Sequence, residues 1–362
     1  MQHTARKLLY RTILSLLLRA FRLTLSSPCQ GLWFLRFLLR QIGYNRIRNR
    51  YILQGINIPP LIIHSITKRC NLHCKGCYAL VNQHRSGSDL TRRQKDSLYT
   101  QARQLGIGII LIAGGEPFTV PDLIDLCAKH PGILFPVFTN GLLLDPHLIN
   151  RLPLNFLPVV SSEGDFQHTD RRRGTAVSEK LLPVLDALAQ AKRFWGVSIT
   201  VNKDNLATIA SDEFTAGLVH QGCRLFFWIE YVPVNGIMDE SVIDQDDRAL
   251  MQERVDVLSH KFPAIFVNFP GDEQLYDGCL AAGKGFVHIQ SDGALEPCPF
   301  SPFSDVSIAH TTLIEALRSR FLSTLRSRED LLRETRYGCA LWENRTEVED
   351  LLQSCKNSQN QS

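Results

Sequence analysis

The stretch LIIHSITKRCNLHCKGC, residues 61–77, decides how the chain is read. Its first seven residues form a short apolar run rich in β-branched side chains, the composition of a strand buried on both faces. Cys70, Cys74 and Cys77 follow at once, on the loop that leaves this strand. Three thiols within eight residues stand too close together for ordinary disulfide pairing and suit metal ligation in a reducing compartment. At this spacing three thiolates can hold three irons of a [4Fe–4S] cube and leave the fourth iron without a protein ligand. Zinc is the competing reading, because thiolates suit it equally well. Structural zinc, however, wants four ligands, usually as two pairs, and no fourth Cys or His lies at the usual spacing; His73, inside the loop, is read as pointing elsewhere.

Downstream, Ile107–Ala113, Leu134–Thr139, Leu157–Ser161, Gly196–Val201 and Leu225–Pro233 repeat the short apolar pattern, separated by helix-length polar segments. Six strand–helix units predict an α/β fold, a partial (β/α)6 TIM-like barrel with a parallel sheet. In such barrels the reacting groups gather where strands end and loops begin.

Three regions follow: a basic amphipathic helical segment over residues 1–58, the barrel over 59–270, and a small C-terminal iron–sulfur domain ending in a helix over 271–362. Composition is that of a folded globular protein, with 44% hydrophobic and 21% charged residues. The net charge of +4 conceals an asymmetry. Fourteen Lys and Arg precede Asp89, and all 36 Asp and Glu lie at or after it. An acid-free front suits an anionic partner. Between residues 5 and 25, Lys7, Arg11, Arg19 and Arg22 fall on one side of a helical projection, and Leu9, Ile13, Leu16, Leu17 and Leu25 help populate the other. The longest charge-free run is too short to span a bilayer. Two readings stay open: a helix lying in an anionic membrane interface, or a helix packing its apolar face on the barrel.

The Cys-x3-Cys-x2-Cys loop after the first strand resembles the signature of the radical S-adenosylmethionine superfamily, with Tyr78-Ala79 following as in one large branch. The resemblance implies that the open iron chelates S-adenosylmethionine, and that reductive cleavage releases methionine and a 5′-deoxyadenosyl radical that abstracts hydrogen from a substrate. Gly114-Gly115-Glu116-Pro117, directly after the second strand, matches the family's motif for the methionine amino group. Ser161 and Glu163 end the fourth strand, where the family reaches the ribose or carboxylate, with Arg172 in the loop beyond. Thr200 ends the fifth strand and Tyr231 the sixth, near the expected adenine site; Thr139-Asn140-Gly141 reads as a turn. Gly76 stands where many members carry an aromatic residue, so the aromatic cover is assigned to Tyr78. The run Arg171-Arg172-Arg173 reads as a solvated loop.

Cys279, Cys298 within Gly293-Ala-Leu-Glu-Pro-Cys298 after a hairpin at Ser291–Gly293, and Cys339 resemble the short "twitch" form of the SPASM extension, implying one auxiliary cluster. Helical periodicity without a breaker from Ala340 to Leu352 would set Cys355 about 24 Å from Cys339, which favours three cysteine ligands there. Cys29, Cys127 and Cys223 read as ordinary core or helix residues. The implied function is radical oxidation or modification of a peptide, cofactor precursor or small metabolite. Modification of a membrane lipid or isoprenoid, and a non-catalytic iron–sulfur electron carrier, are the alternatives. Expected partners are S-adenosylmethionine, a reductant such as flavodoxin or ferredoxin, and an anionic membrane surface, with no nucleic acid. The expected location is cytoplasmic, peripheral at the inner face of the membrane.

Overall fold

A computed structural model describes residues 2–25, 27–81, 87–234, 240–269, 276, 278–333 and 338–359. The expected strands are present: β1 Leu61–Thr67, β2 Ile109–Gly114, β3 Phe135–Thr139, β4 Phe156–Ser161, β5 Gly196–Val201 and β6 Leu225–Glu230. Two boundaries differ from expectation by a few residues. β2 starts after Gly108, where the backbone passes tightly beneath the second helix, and β6 stops before Pro233, which has no N–H to give a ladder.

The sheet is larger than six strands. Its order is β7-β6-β5-β4-β3-β2-β1-β8-β9, with β7 at Ile265–Phe269, β8 at Phe286–Ile289 and β9 at Leu295–Glu296. Every neighbouring pair from β7 through β8 is parallel, and β9 turns back antiparallel on β8. The sheet therefore curls into an open half-barrel. β8 belongs to the segment assigned from sequence to the C-terminal unit, yet Leu61–His64 of β1 pair residue for residue with Phe286–Ile289. The expected boundary between 270 and 271 lies outside the described residues.

Helix α1 (Gln2–Leu23) and helix α2 (Pro28–Leu53) close the bottom of the half-barrel. Ala5, Leu9, Ile13, Leu17 and Ala20 of α1 are buried in one cluster with Phe34 and Phe37 of α2 and with Leu134, Leu157, Leu225 and Ile265 at the starts of strands. Of the two readings of the front segment, the structure has α1 packed on the barrel. α2 crosses the loops that feed β2 and β3: Tyr44 Oη donates to Gly132 O at 3.0 Å and the Arg48 guanidinium donates to Gly106 O. A Cβ at Gly106 would lie 2.6 Å from Tyr44 O, so only glycine allows the approach.

The expected continuous helix from Ala340 to Leu352 is broken. One short helix covers Ala340–Glu343 and another Arg345–Gln359, separated at Asn344. The Asn344 side chain donates to Ala340 O at 3.1 Å and to Leu331 O at 3.4 Å, tying the junction to the preceding turn. Cys355 is buried against the helix Arg320–Ser327, its sulfur 4.0 Å from Thr324 Oγ1.

Within β1, His64 is fully buried, with Nδ1 2.9 Å from Tyr99 Oη. Burial holds its pKa well below the ordinary value of 6.5. Unfolding lets this ring take up a proton below about pH 6.5, which the folded chain refuses, so stability is present above that pH and falls as pH drops. Lowering pH from 6 to 5 should reduce the unfolding free energy through this residue by up to about 1.4 kcal/mol, and urea titrations of His64→Phe should lose that slope. The docking of α2 predicts a contrast: Phe37→Ala, which removes a fully buried ring, should cost about 3–5 kcal/mol. Leu39→Ala, on the exposed face, should stay within about 0.5 kcal/mol. Equal effects in urea unfolding would contradict the packing of α2.

Candidate active site at the mouth of the half-barrel

The cysteine loop is held on three sides. At its start, Gly115 N–H donates to Thr67 O and Glu116 N–H to Arg69 O, each at 2.8 Å. A Cβ at Gly115 would lie 2.0 Å from Arg69 O, so the paired glycines are what let these two backbones meet. In the middle of the loop, Asn140 Nδ2 donates to Asn71 Oδ1 at 2.7 Å, and Lys75 N–H donates to Arg172 O at 2.9 Å. Asp89 accepts from Thr67 Oγ1 at 2.6 Å and from Lys68 N–H at 3.2 Å, fixing the turn out of β1.

Glu116 is 1% exposed. Its carboxylate accepts from Thr139 Oγ1 and Asn140 N–H at 2.7 Å and from Phe118 N–H at 3.0 Å. Burial raises its pKa and these three donors oppose the shift. A carboxylate has about four acceptor positions, so one remains for a ligand. The Thr139–Gly141 turn is thus tied to both Glu116 and the cysteine loop.

Two arginines shape the opposite wall. The helix Phe166–Arg173 begins at Asp165, which caps His168 N–H, and ends at Gly174 in a conformation with positive φ. Its last turn places Arg172 Nη1 2.7 Å and Arg173 Nη2 2.5 Å from the same Glu163 oxygen, while Thr200 N–H donates to the other at 3.0 Å. Glu163 is 1% exposed. The expectation of a solvated arginine run is corrected: Arg172 and Arg173 are half-buried and paired, and only Arg171 remains exposed, 3.6 Å from Asp204. Burial raises the Cys74 thiol pKa, and Arg173 and then Arg172 pull it back down. Cys70 is raised chiefly by burial, opposed by the Leu72 N–H, 3.4 Å from its sulfur.

A cavity of about 430 Å³ opens between these walls. Cys70, Cys74 and Cys77 line it with Gly114, Gly115 and Glu116, and so do Ser161, Thr200 and Tyr231. Pro117 and Glu163 stand behind the lining. Tyr78 and Tyr231 both line the cavity beside the loop. Tyr78 turns its hydroxyl to Ser65 and the Gly114 amide, and burial pushes its pKa up to about 12. Tyr231 instead lies on Gly76, where a Cβ would meet its ring at 2.6 Å.

Cys279, Cys298 and Cys339 are buried behind one wall of this cavity, of which Leu280, Pro299 and Phe300 form part. Tyr78 and Phe300 meet edge-on with centroids 5.8 Å apart, and Tyr78 senses both Cys77 and Cys298. Among the described residues no three His, Cys, Asp or Glu side chains are gathered closely enough for a single metal ion. Cys127 and Cys223 are buried core thiols, Cys223 with its pKa raised to about 12 by desolvation; Cys29 is exposed on α2.

A half-barrel with a three-cysteine loop after β1 and a Gly-Gly-Glu turn after β2 is the arrangement that the sequence resemblance to radical S-adenosylmethionine enzymes implies. Residues 64–210 match the Radical SAM superfamily. The match implies a [4Fe–4S] cluster and S-adenosylmethionine as cofactors. AdoMet-dependent heme synthase of Methanosarcina barkeri is 24% identical over 277 residues, 68% of this chain and 78% of that protein. Mycofactocin maturase MftC of Mycobacterium tuberculosis is 29% identical over 181 residues, 48% of this chain and 45% of the relative. Among solved structures, Streptococcus suis SuiB bound to S-adenosylmethionine superposes with a TM-score of 0.61 at 17% identity, over 82% of this chain and 73% of that one.

The Arg172–Glu163–Arg173 group, a buried carboxylate between two half-buried guanidiniums, predicts that Glu163→Gln leaves two cations without their counter-charge. The expected cost is about 3–5 kcal/mol by urea unfolding. A loss below about 1 kcal/mol would show that the arginines find other partners.

Proposed function

We propose that Cys70, Cys74 and Cys77 hold the [4Fe–4S] cluster, and that the chain uses it to cleave S-adenosylmethionine reductively and oxidise or rearrange an organic substrate. The observation that carries this reading is one cavity wall shared by the three thiols and the Gly114-Gly115-Glu116 turn. The donor set fits the group: three soft thiol ligands on one loop, half-buried, beside two guanidiniums that favour their ionised form. Once bound, the cluster supplies the electron that breaks a carbon–sulfur bond of the sulfonium.

The residues around it bind and orient. Glu116 keeps one acceptor position for the ammonium of the amino acid moiety, and Arg172 and Arg173 face its carboxylate. Ser161 and Thr200 offer hydroxyls at the ribose level. Tyr231, seated on Gly76, takes over the aromatic role at the adenine. Glu163 acts through the arginines, which it holds in place. Cys279, Cys298 and Cys339 are assigned to one auxiliary iron–sulfur cluster, with Tyr78 and Phe300 between the two cysteine sets.

The relatives named above make heme or mature mycofactocin, and SuiB has been crystallised with a precursor peptide. A cofactor precursor or peptide is accordingly the substrate class proposed here, with a flavodoxin or ferredoxin as reductant. No helix among the described residues is long and apolar enough to cross a membrane. The exposed faces of α1 and α2 interleave Leu8, Leu18, Leu35 and Leu39 with Arg11, Arg22, Arg36 and Arg40. Such faces suit peripheral contact with an anionic bilayer on the cytoplasmic side.

Anaerobically reconstituted protein, reduced with dithionite in the presence of S-adenosylmethionine, should form 5′-deoxyadenosine, and Cys74→Ala should form none. Iron analysis should give about eight irons per chain for two cubane clusters, falling to about four in Cys298→Ala. Bound iron without deoxyadenosine would favour an electron carrier instead.

A further inference from the structure

The site described so far occupies only the upper part of the cavity. Below the cysteine loop the same space continues down the axis of the half-barrel to α1. Closed (β/α)8 barrels fill this axis with layers of interlocking side chains. Here the inward positions meet only at one level, where the Phe138 and Phe227 rings lie with centroids 5.0 Å apart across the axis. Leu111, Phe138, Phe227 and Val267 line the cavity and are only partly buried, while their outward neighbours Ile110, Val137, Phe226 and Phe266 are packed into the core. That alternation is the two-residue period of a strand, with one face finished and the other left open.

The open face changes character with height. Ser161 and Ser198 line the cavity near the cysteine loop. Leu157, Leu225 and Ile265 line its lower end, and Leu9, Ile13 and Leu16 of α1 form the floor. Thr12, also at the floor, has its hydroxyl engaged by Tyr276 Oη at 3.0 Å. From Ser161 down to Leu157 is four residues of one strand, or about 13 Å. Apolar hollows of this kind offer water few partners, stay dry and bind hydrocarbon.

We propose that this lower chamber binds a hydrocarbon chain of the substrate, with α1 as the floor that limits its length, so that the polar end stands at the level of the cysteine loop. The proposal rests on the radical reading above and deepens it: the substrate is an amphiphile, a precursor carrying an acyl or prenyl chain. α1 then has two roles, completing the core with Ala5 and presenting Leu9, Ile13, Leu16, Leu17 and Ala20, which also pack in that core, to the ligand.

The test uses cis-parinaric acid, a fluorescent long-chain fatty acid, on the reconstituted full chain and on Cys74→Ala. Both should bind it saturably, one per chain, and butyric acid should not compete. Leu16→Trp, which fills the chamber from its floor, should weaken binding at least about tenfold, whereas Leu35→Glu with Leu39→Glu on the outer face of α2 should leave it unchanged. Should Leu16→Trp not fold, a diazirine-bearing fatty acid photolabels the unaltered protein: adducts on residues 9–17 or β7 support the chamber, and adducts confined to residues 32–42 overturn it. Absence of saturable binding, a folded Leu16→Trp that binds as before, or displacement by a tetrapyrrole but not by long-chain acids would also overturn it. Deoxyadenosine formation measured on the same preparations separates the two readings. Turnover without chain binding rejects the chamber alone, and chain binding without turnover rejects the radical chemistry alone.

Discussion

Two backbone hydrogen bonds, from Gly115 to Thr67 and from Glu116 to Arg69, fix where the cysteine loop departs from β1. Everything at the mouth of the half-barrel is placed relative to that clasp. The strands themselves would align β1 with β2 under many sequences, because parallel ladders depend on apolar burial more than on particular side chains. The loop has no such redundancy. It carries three thiols, little apolar area and no helix of its own, so its conformation is borrowed from neighbours. Glu116 extends the clasp sideways: by accepting from Thr139 and Asn140 it locks β3 to β2, and Asn140 in turn reaches Asn71 inside the loop. One buried carboxylate thereby connects three strand ends.

A second constraint is electrostatic. Three thiolates on one loop concentrate negative charge, and the wall facing them carries Arg172 and Arg173. Burying two guanidiniums side by side is expensive unless they share a counter-ion, and Glu163 supplies one oxygen to both. The remaining guanidinium donors are then free to face the cavity without either arginine folding away toward solvent. The carboxylate is neither at the surface nor in the lining, yet it sets the charge that the loop experiences.

How far this was legible in the sequence follows from the range of the interactions involved. The six strands, the cysteine loop and the Gly-Gly-Glu turn could be read because each is a local pattern whose meaning depends on a few adjacent residues. β7 was not read, and of β8 only the hairpin at Ser291–Gly293 that returns it to β9 was legible, because its parallel pairing with β1, far away in sequence, leaves no local pattern. The half-burial of Arg172 and Arg173 was not visible in a run of three arginines. What singles them out is helical phase, since Asp165 starts a helix that turns Arg172 and Arg173 inward and Arg171 outward. The break at Asn344 was hidden for a related reason: asparagine is a weak signal inside a helical pattern, and its side chain acts here only because Leu331 O is within reach. Gly76 was noticed as a departure, but its consequence, a seat for Tyr231, joins positions that only the barrel brings together.

The helical front illustrates the same limit with a functional consequence. An amphipathic helix announces that one face will be buried, but not against what. The arginines and leucines of α1 were compatible with a bilayer or with the barrel, and the barrel occupies the face bearing Leu9, Ile13 and Leu17. This choice matters because an open half-barrel whose lower end were left unsealed would admit water along its axis. With α1 in place, the cavity has an apolar lower half closed from below and a polar rim open from above. A reactive carbon radical lasts only where water and stray hydrogen donors are kept away. Sealing the lumen with leucine and isoleucine side chains, whose nearest polar neighbour Thr12 is already occupied by Tyr276, provides that exclusion on the side of the site that no loop can cover.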